Sequence, residues 1–274
     1  MRKSVFNGSF YPSGKEEIIN FINSSIEKVD MNEDVGEAHS YVAPHAGYIY
    51  SGKTAAFTYK AIQKNSRIEQ IETLIMIGPN HTGIGRPISV SMEDWETPLG
   101  KSINDRELSK AIVENSEYIN VDEQAHESEH SIEVQLPFIQ YIFPKKKVVL
   151  ICMGDQSIEA SEILSNSIIK SMEQLKRKVL VIASSDFNHY ESSEIAKKKD
   201  SKLLEAAEVL DYKKFNDLID KLNDSACGFG PITVAMMFAK HMHSKKGIIL
   251  KYTNSGEETK DYSSVVAYCA IAFL

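Results

Sequence analysis

Three histidines in this sequence follow directly on apolar, β-branched runs. "SYVA" (40–43) leads into Pro44-His45-Ala46-Gly47, "LIMIG" (74–78) into Pro79-Asn80-His81, and "VLVIASS" (179–185) into Asp186-Phe187-Asn188-His189. Imidazoles ligate metals and exchange protons near neutral pH, and ligands of open α/β sheets bind beyond the carboxyl ends of the strands. One such histidine is an ordinary loop residue. Three of them, one with Asp186 nearby, point to a shared site. Cys227, in "ACGFGP" (226–231), stands just ahead of a helix start marked by Pro231. The helix dipole there favours a thiolate, a better nucleophile and a softer metal ligand. Cys152 and Cys269 lie inside apolar runs and read as inert core residues.

Three other chemistries compete for the same residues. Gly47 to Thr54 spells G-x-x-x-x-G-K-T, the phosphate-cradling P-loop, with Lys53 and Thr54 as phosphate and Mg²⁺ contacts. Its spacer, Tyr-Ile-Tyr-Ser, is awkward in a loop that must curl tightly, so an ordinary helix entrance is the expected reading. "HESEH" (126–130) fits H-E-x-x-H, the zinc-peptidase helix. Its neighbours Asp122, Glu123 and Gln124 are too polar for a buried helix, so a polar loop is expected, with Glu129 or His130 facing the site. Cys227 could also serve a Cys-His hydrolase, if His189 lay within hydrogen-bond reach and oxyanion donors were present.

The elements that would position these residues alternate along the chain. Strands are expected at 40–43, 72–78, 88–92, 147–154, 178–185, 248–254 and 263–274. Helices are expected around Ala55/Tyr59/Ile62, Leu108/Ile112, Leu164/Ile168/Met172 and Phe215/Leu218/Leu222. Ser13 and Glu16 spell a capping box before a helix that buries Ile18, Ile22, Ile26 and Val29. The runs at 147–154 and 178–185, separated by one helical pattern, read as a βαβ unit. Continuously apolar strands belong to a sheet covered on both faces. The expected fold class is α/β: a single domain over 1–274, with a central, largely parallel or mixed sheet flanked by helices.

Composition narrows the partners. The 274 residues are 42% hydrophobic and 25% charged, with a net charge of −7. This balance argues against nucleic-acid or anionic-membrane binding. No apolar run approaches the ~20 residues of a membrane span. Three well-separated cysteines without a C-x-x-C pair suit a reducing cytoplasm, which is the expected compartment.

"GSFYP" (8–12), "APHAGYIYSGKTAA" (43–56), "IGPNH" (77–81), "TPLG" (97–100), "EHSIEVQLPF" (129–138), "SSDFNHY" (184–190) and "ACGFGP" (226–231) resemble the Memo family, in this order and over nearly the whole chain. The Lys53-Thr54 pair and His126 lie outside that family's pattern. The resemblance implies a fold similar to class III extradiol dioxygenases, which are non-haem iron enzymes. It places metal ligands at His45, His81 and Cys227, and Asp186 and His189 in the same cleft. His189 would be an acid/base group oriented by Asp186, and Tyr50 a wall of the cleft. Asn80, Glu129 and His130 are expected just behind the ligands. The implied cofactor is iron or copper, since a thiolate in place of the dioxygenase carboxylate is softer. The implied activity is that of a metal-dependent oxidoreductase on a small molecule. Its alternative is a non-catalytic protein that binds a peptide or partner in the same cleft, with a radical-SAM protein as one partner.

Overall fold

Each continuously apolar run becomes a strand buried on both faces. The computed structural model describes residues 1–31 and 35–274. Ser40–Ala43, Val179–Ser184, Thr73–Pro79 and Lys147–Met153 lie side by side in that order, all parallel. Successive side chains point to opposite faces. Thus Val179, Val181 and Ala183 enter one core, and Leu180 and Ile182 the other. The first core is packed by helices Arg106–Glu114, Ile158–Gln174, Ser193–Glu208, Tyr212–Leu222 and Phe229–His241. The second is packed by Lys15–Glu27, Lys53–Lys64 and Leu136–Ile142.

The sheet is mixed rather than purely parallel. Val265–Phe273 adds antiparallel to Ser40–Ala43 and pairs in turn with Asp186–Glu191 and Gly247–Asn254. Ile88–Ser91 adds antiparallel to Lys147–Met153 and carries the short Ile119–Val121 strand. The expected βαβ pair is parallel but not adjacent, because Thr73–Pro79 inserts between its two strands and bonds to both. A small separate sheet joins Arg2–Lys3, Trp95–Thr97 and Gly100–Ser102.

The capping box at Ser13 and Glu16 does not form. The first helix starts at Lys15 behind Gly14 with no side-chain cap, although Ile18 and Ile22 are fully buried as expected. Asp105, Ser157, Ser192 and Asp211 cap later helices with their side chains. Among the described residues no helix is long and apolar enough to cross a membrane.

Candidate metal centre

The carboxyl ends of three central parallel strands deliver His45, His81 and the 184–189 segment to one place. His45 is 1% exposed. Its Nδ1 lies 2.9 Å from Ser184 Oγ. That hydroxyl donates its only proton to the Ser131 carbonyl (2.6 Å) and also accepts from Gln135 Nε2 (2.9 Å). The imidazole must therefore donate from Nδ1, which leaves the Nε2 lone pair free. Cys227 Sγ lies 3.2 Å from that Nε2. Burial lowers the His45 pKa, and the neighbouring His130, His81 and His189 add to the effect, so the ring is neutral.

His81 is oriented by a carboxylate. Its Nδ1 lies 2.9 Å from Glu129 Oε1, and its backbone N–H donates to Glu129 Oε2 (2.6 Å). Ser131 N–H donates to the same carboxylate (2.8 Å). Burial alone would raise the Glu129 pKa, but the hydrogen bonds and charge of His81 and the Ser131 N–H outweigh it and hold it at about 2. An ionised Glu129 therefore fixes the Nδ1–H tautomer of His81 and frees its Nε2, the usual support for a metal-binding histidine.

Cys227 reaches the cleft because its connector presses against the strand end at Ser184-Ser185. Gly228 donates its N–H to Ser185 Oγ (2.9 Å), and a Cβ at Gly228 would fall 2.5 Å from the Ser184 carbonyl oxygen. Helix Phe229–His241 begins just beyond, as Pro231 suggested. The free thiol is not the thiolate that the dipole argument leads one to expect. Burial, with the Asp186 carboxyl beside it, pushes its pKa well up.

One ring nitrogen each of His45 and His81 and the sulfur of Cys227 lie within 4.8 Å of one another. Two imidazoles whose Nδ1 atoms are hydrogen-bonded from behind, leaving Nε2 to face outward, and a thiol that ionises on metal binding form a donor set that fits iron, copper or zinc. His81, Glu129 and His130 form a second convergent group. The Glu129 oxygens there already accept three N–H bonds, so the set containing Cys227 is the better fit.

The remaining expected residues divide. Tyr50, His130, Asp186 and His189 all line one cavity of about 520 Å³, together with Phe10 and Tyr268. His130 therefore faces the cavity instead of standing behind the ligands. Its ring stacks on His81 at 4.4 Å, and burial followed by the His81 charge lowers its pKa to about 4. Asn80 supports the site only indirectly. Its Oδ1 accepts from Thr82 and Gly83 and its Nδ2 donates to Ile84 O, which folds the loop after His81. Asp186 does not orient His189. Its Oδ1 accepts the His45 backbone N–H (2.8 Å), and burial raises its pKa to about 7. Ser225 performs the orienting instead, since its carbonyl takes His189 Nδ1 (3.0 Å) and its hydroxyl takes the His189 backbone N–H (2.7 Å). Burial lowers the His189 pKa. Ser184, Gln135 and Ser225 carried no signal that sequence reasoning used, although Ser184 and Gln135 sit inside two of the quoted motifs.

Neither rival motif forms its site. Tyr48–Gly52 is a π-helical turn running into helix Lys53–Lys64, and the Phe21 ring fills the space beside Gly52. Lys53 pairs with Glu258, and Thr54 Oγ1 bonds to Thr253 Oγ1 (2.6 Å). In "HESEH" the helix Gln124–Glu127 ends before His130. His126 is buried against Trp95 with Nε2 3.2 Å from Ser89 O, away from the cavity.

Comparison with known proteins agrees over the full length. A family model described as Memo-like protein matches residues 2–272. A MEMO1 family protein of Nitrosopumilus maritimus is 38% identical, covering 100% of both chains. Another, from Desulfurococcus amylolyticus, is 41% identical and covers 99% of this chain and 98% of its own. The crystal structure of an uncharacterized protein from Escherichia coli K12 superposes with a TM-score of 0.52 at 10% identity, covering 85% of this chain and 98% of that one. That likeness is one of fold.

Proposed function

The chain belongs to the Memo family, and from that premise we propose that its cleft is a mononuclear iron or copper centre serving an oxidoreductase reaction on a small molecule. The observation that carries this reading is the convergence of His45, His81 and Cys227, with both imidazole tautomers fixed from behind by Ser184 and Glu129. Iron or copper held by His45, His81 and Cys227 would supply a redox-active Lewis acid.

The chain's own residues do the rest. His45 and His81 present Nε2 without reorganisation, because their Nδ1 protons are already committed. Cys227 gives up its proton on ligation, and Asp186 is close enough to influence that loss, its backbone N–H lying 3.3 Å from the sulfur. His189 donates Nδ1–H to Ser225 O, so its Nε2 can accept a proton from a substrate in the cavity. Tyr50 and Phe10 supply aromatic walls.

The test is metal analysis of protein purified without air, followed by oxygen-consumption assays of the loaded protein with catechols and other small reductants. Wild type should hold close to one metal, and His81→Ala should lose it. Full occupancy in His81→Ala would sink the assignment. A metal-loaded protein that turns over none of these compounds, yet retains a peptide in the cleft, would favour the partner-binding alternative.

A further inference from the structure

The first residues of the chain carry a buried charge that the site described above does not use. Arg2 has a side chain only 8% exposed and meets the fully buried Glu133 through Nη1–Oε2 at 2.7 Å. Its guanidinium carbon sits 3.9 Å from the centre of the Trp95 ring. The other donors of the same guanidinium go to the loop that carries the support of His81: Nε to His126 O (2.7 Å) and Nη2 to Glu129 O (3.2 Å). Glu133 is itself saturated, its Oε1 accepting Val5 N–H (3.0 Å), Phe6 N–H (2.8 Å) and the Tyr11 hydroxyl (2.8 Å). The segment so anchored lays Phe10 against His130 at 4.6 Å in the cavity wall.

Such an arrangement exceeds what holding down a chain end requires. A buried ion pair contributes little net stability, because desolvation offsets the Coulomb attraction. The planar fork of a guanidinium, in contrast, fixes several acceptors in one geometry. Here those acceptors are the backbone carbonyls of His126 and Glu129, and Glu129 holds the His81 ring. We propose that Arg2 is a positioning residue for the metal centre: it locks the 126–129 loop so that Glu129 meets His81, while the segment it anchors sets the cavity face of His130. This rests on the metal-centre reading for its purpose, but not for its geometry.

Arg2→Lys separates positioning from charge. A lysine can pair with Glu133, but its ammonium cannot also hold two carbonyls and stack on Trp95. Cobalt(II) titrated without air is the probe, since its thiolate charge-transfer absorption reports ligation by Cys227. In parallel, NMR of the metal-free protein follows solvent exchange of the His81 Nδ1 proton. Arg2→Lys should fold, bind cobalt about ten-fold or more weakly, the range typical of losing an outer support, and exchange the His81 proton faster. Arg2→Ala should show both effects more strongly if it folds. Unchanged cobalt affinity and unchanged proton exchange in folded Arg2→Lys would overturn the proposal and leave Arg2 a purely structural anchor. If wild type takes up no cobalt, the metal reading fails, and the proton-exchange result alone decides the role of Arg2.

Discussion

His45 Nδ1 lies 2.9 Å from Ser184 Oγ, and the direction of that hydrogen bond is fixed by a third group, the Ser131 carbonyl that already holds the serine proton. The tautomer of a buried imidazole is thus set by a residue 139 positions away. The same logic holds at His81, where the donor meets a carboxylate instead.

Ser184→Ala removes the acceptor, takes the hydroxyl donor from the Ser131 carbonyl and one of the Gln135 amide's partners, leaving that amide on Pro44 O (2.8 Å). The cost in stability should be about 1–3 kcal/mol, as for buried groups left unpaired. Metal affinity should fall at least ten-fold or so, because His45 is then free to choose either tautomer. Chemical denaturation and competitive metal titration of the same protein read the two effects separately.

Glu129→Gln should weaken metal binding and also change acid stability. The Glu129 pKa in the folded chain, about 2, lies below the usual carboxylate value of 4.5. Between these values the unfolded chain binds more protons than the folded one. The contribution is therefore fully present above pH 4.5 and lost as pH falls through about 2. The shift corresponds to about 3 kcal/mol. Denaturation midpoints measured from pH 6 to pH 2 should fall steeply for the wild type and more gently for Glu129→Gln.

What the sequence made legible follows from what is local. Parallel strands end where their apolar runs end, so the sequence alone places His45, His81 and the Asp186–His189 segment at one edge of the sheet. Cys227 could be placed from its helix start, but not its protonation, which depends on how deeply the connector packs. Ser184, Gln135 and Ser225 were invisible as supports because their partners come from other segments. Asn80 misled because an asparagine can fold its own loop as readily as it can serve a neighbour. The N-terminal anchor was hidden for the same reason as Ser184: Arg2 and Glu133 are 131 residues apart and meet only through the tertiary fold.

Cys227 should be a poor nucleophile in the metal-free protein. Burial and the adjacent Asp186 carboxyl raise its pKa, so the thiolate fraction near pH 8 is below that of an ordinary cysteine. Alkylation by iodoacetamide should be slow, with a rate still climbing at the highest pH the fold tolerates. Fast labelling at neutral pH would revive the Cys-His hydrolase reading. Cys227→Ser should abolish the cobalt charge-transfer band while leaving the fold intact.

The cavity should discriminate against phosphate and other strong anions. Among the described residues, no lysine or arginine lines it. The two imidazoles that line it, His130 and His189, are pushed toward the neutral form, by burial first and by the neighbouring His81 as well. An anion entering this space would lose its hydration against cavity-lining imidazoles whose charge burial suppresses, a transfer that buried charges tolerate only when paired. Calorimetric titration of the metal-free protein with inorganic phosphate or a phosphotyrosine peptide near pH 7.5 should give no binding at millimolar concentration. Lowering the pH towards 4 should create weak affinity as His130 takes up its proton. Tight phosphate binding at neutral pH would mean that His130 and His189 are charged in solution, and would overturn this account of the cavity.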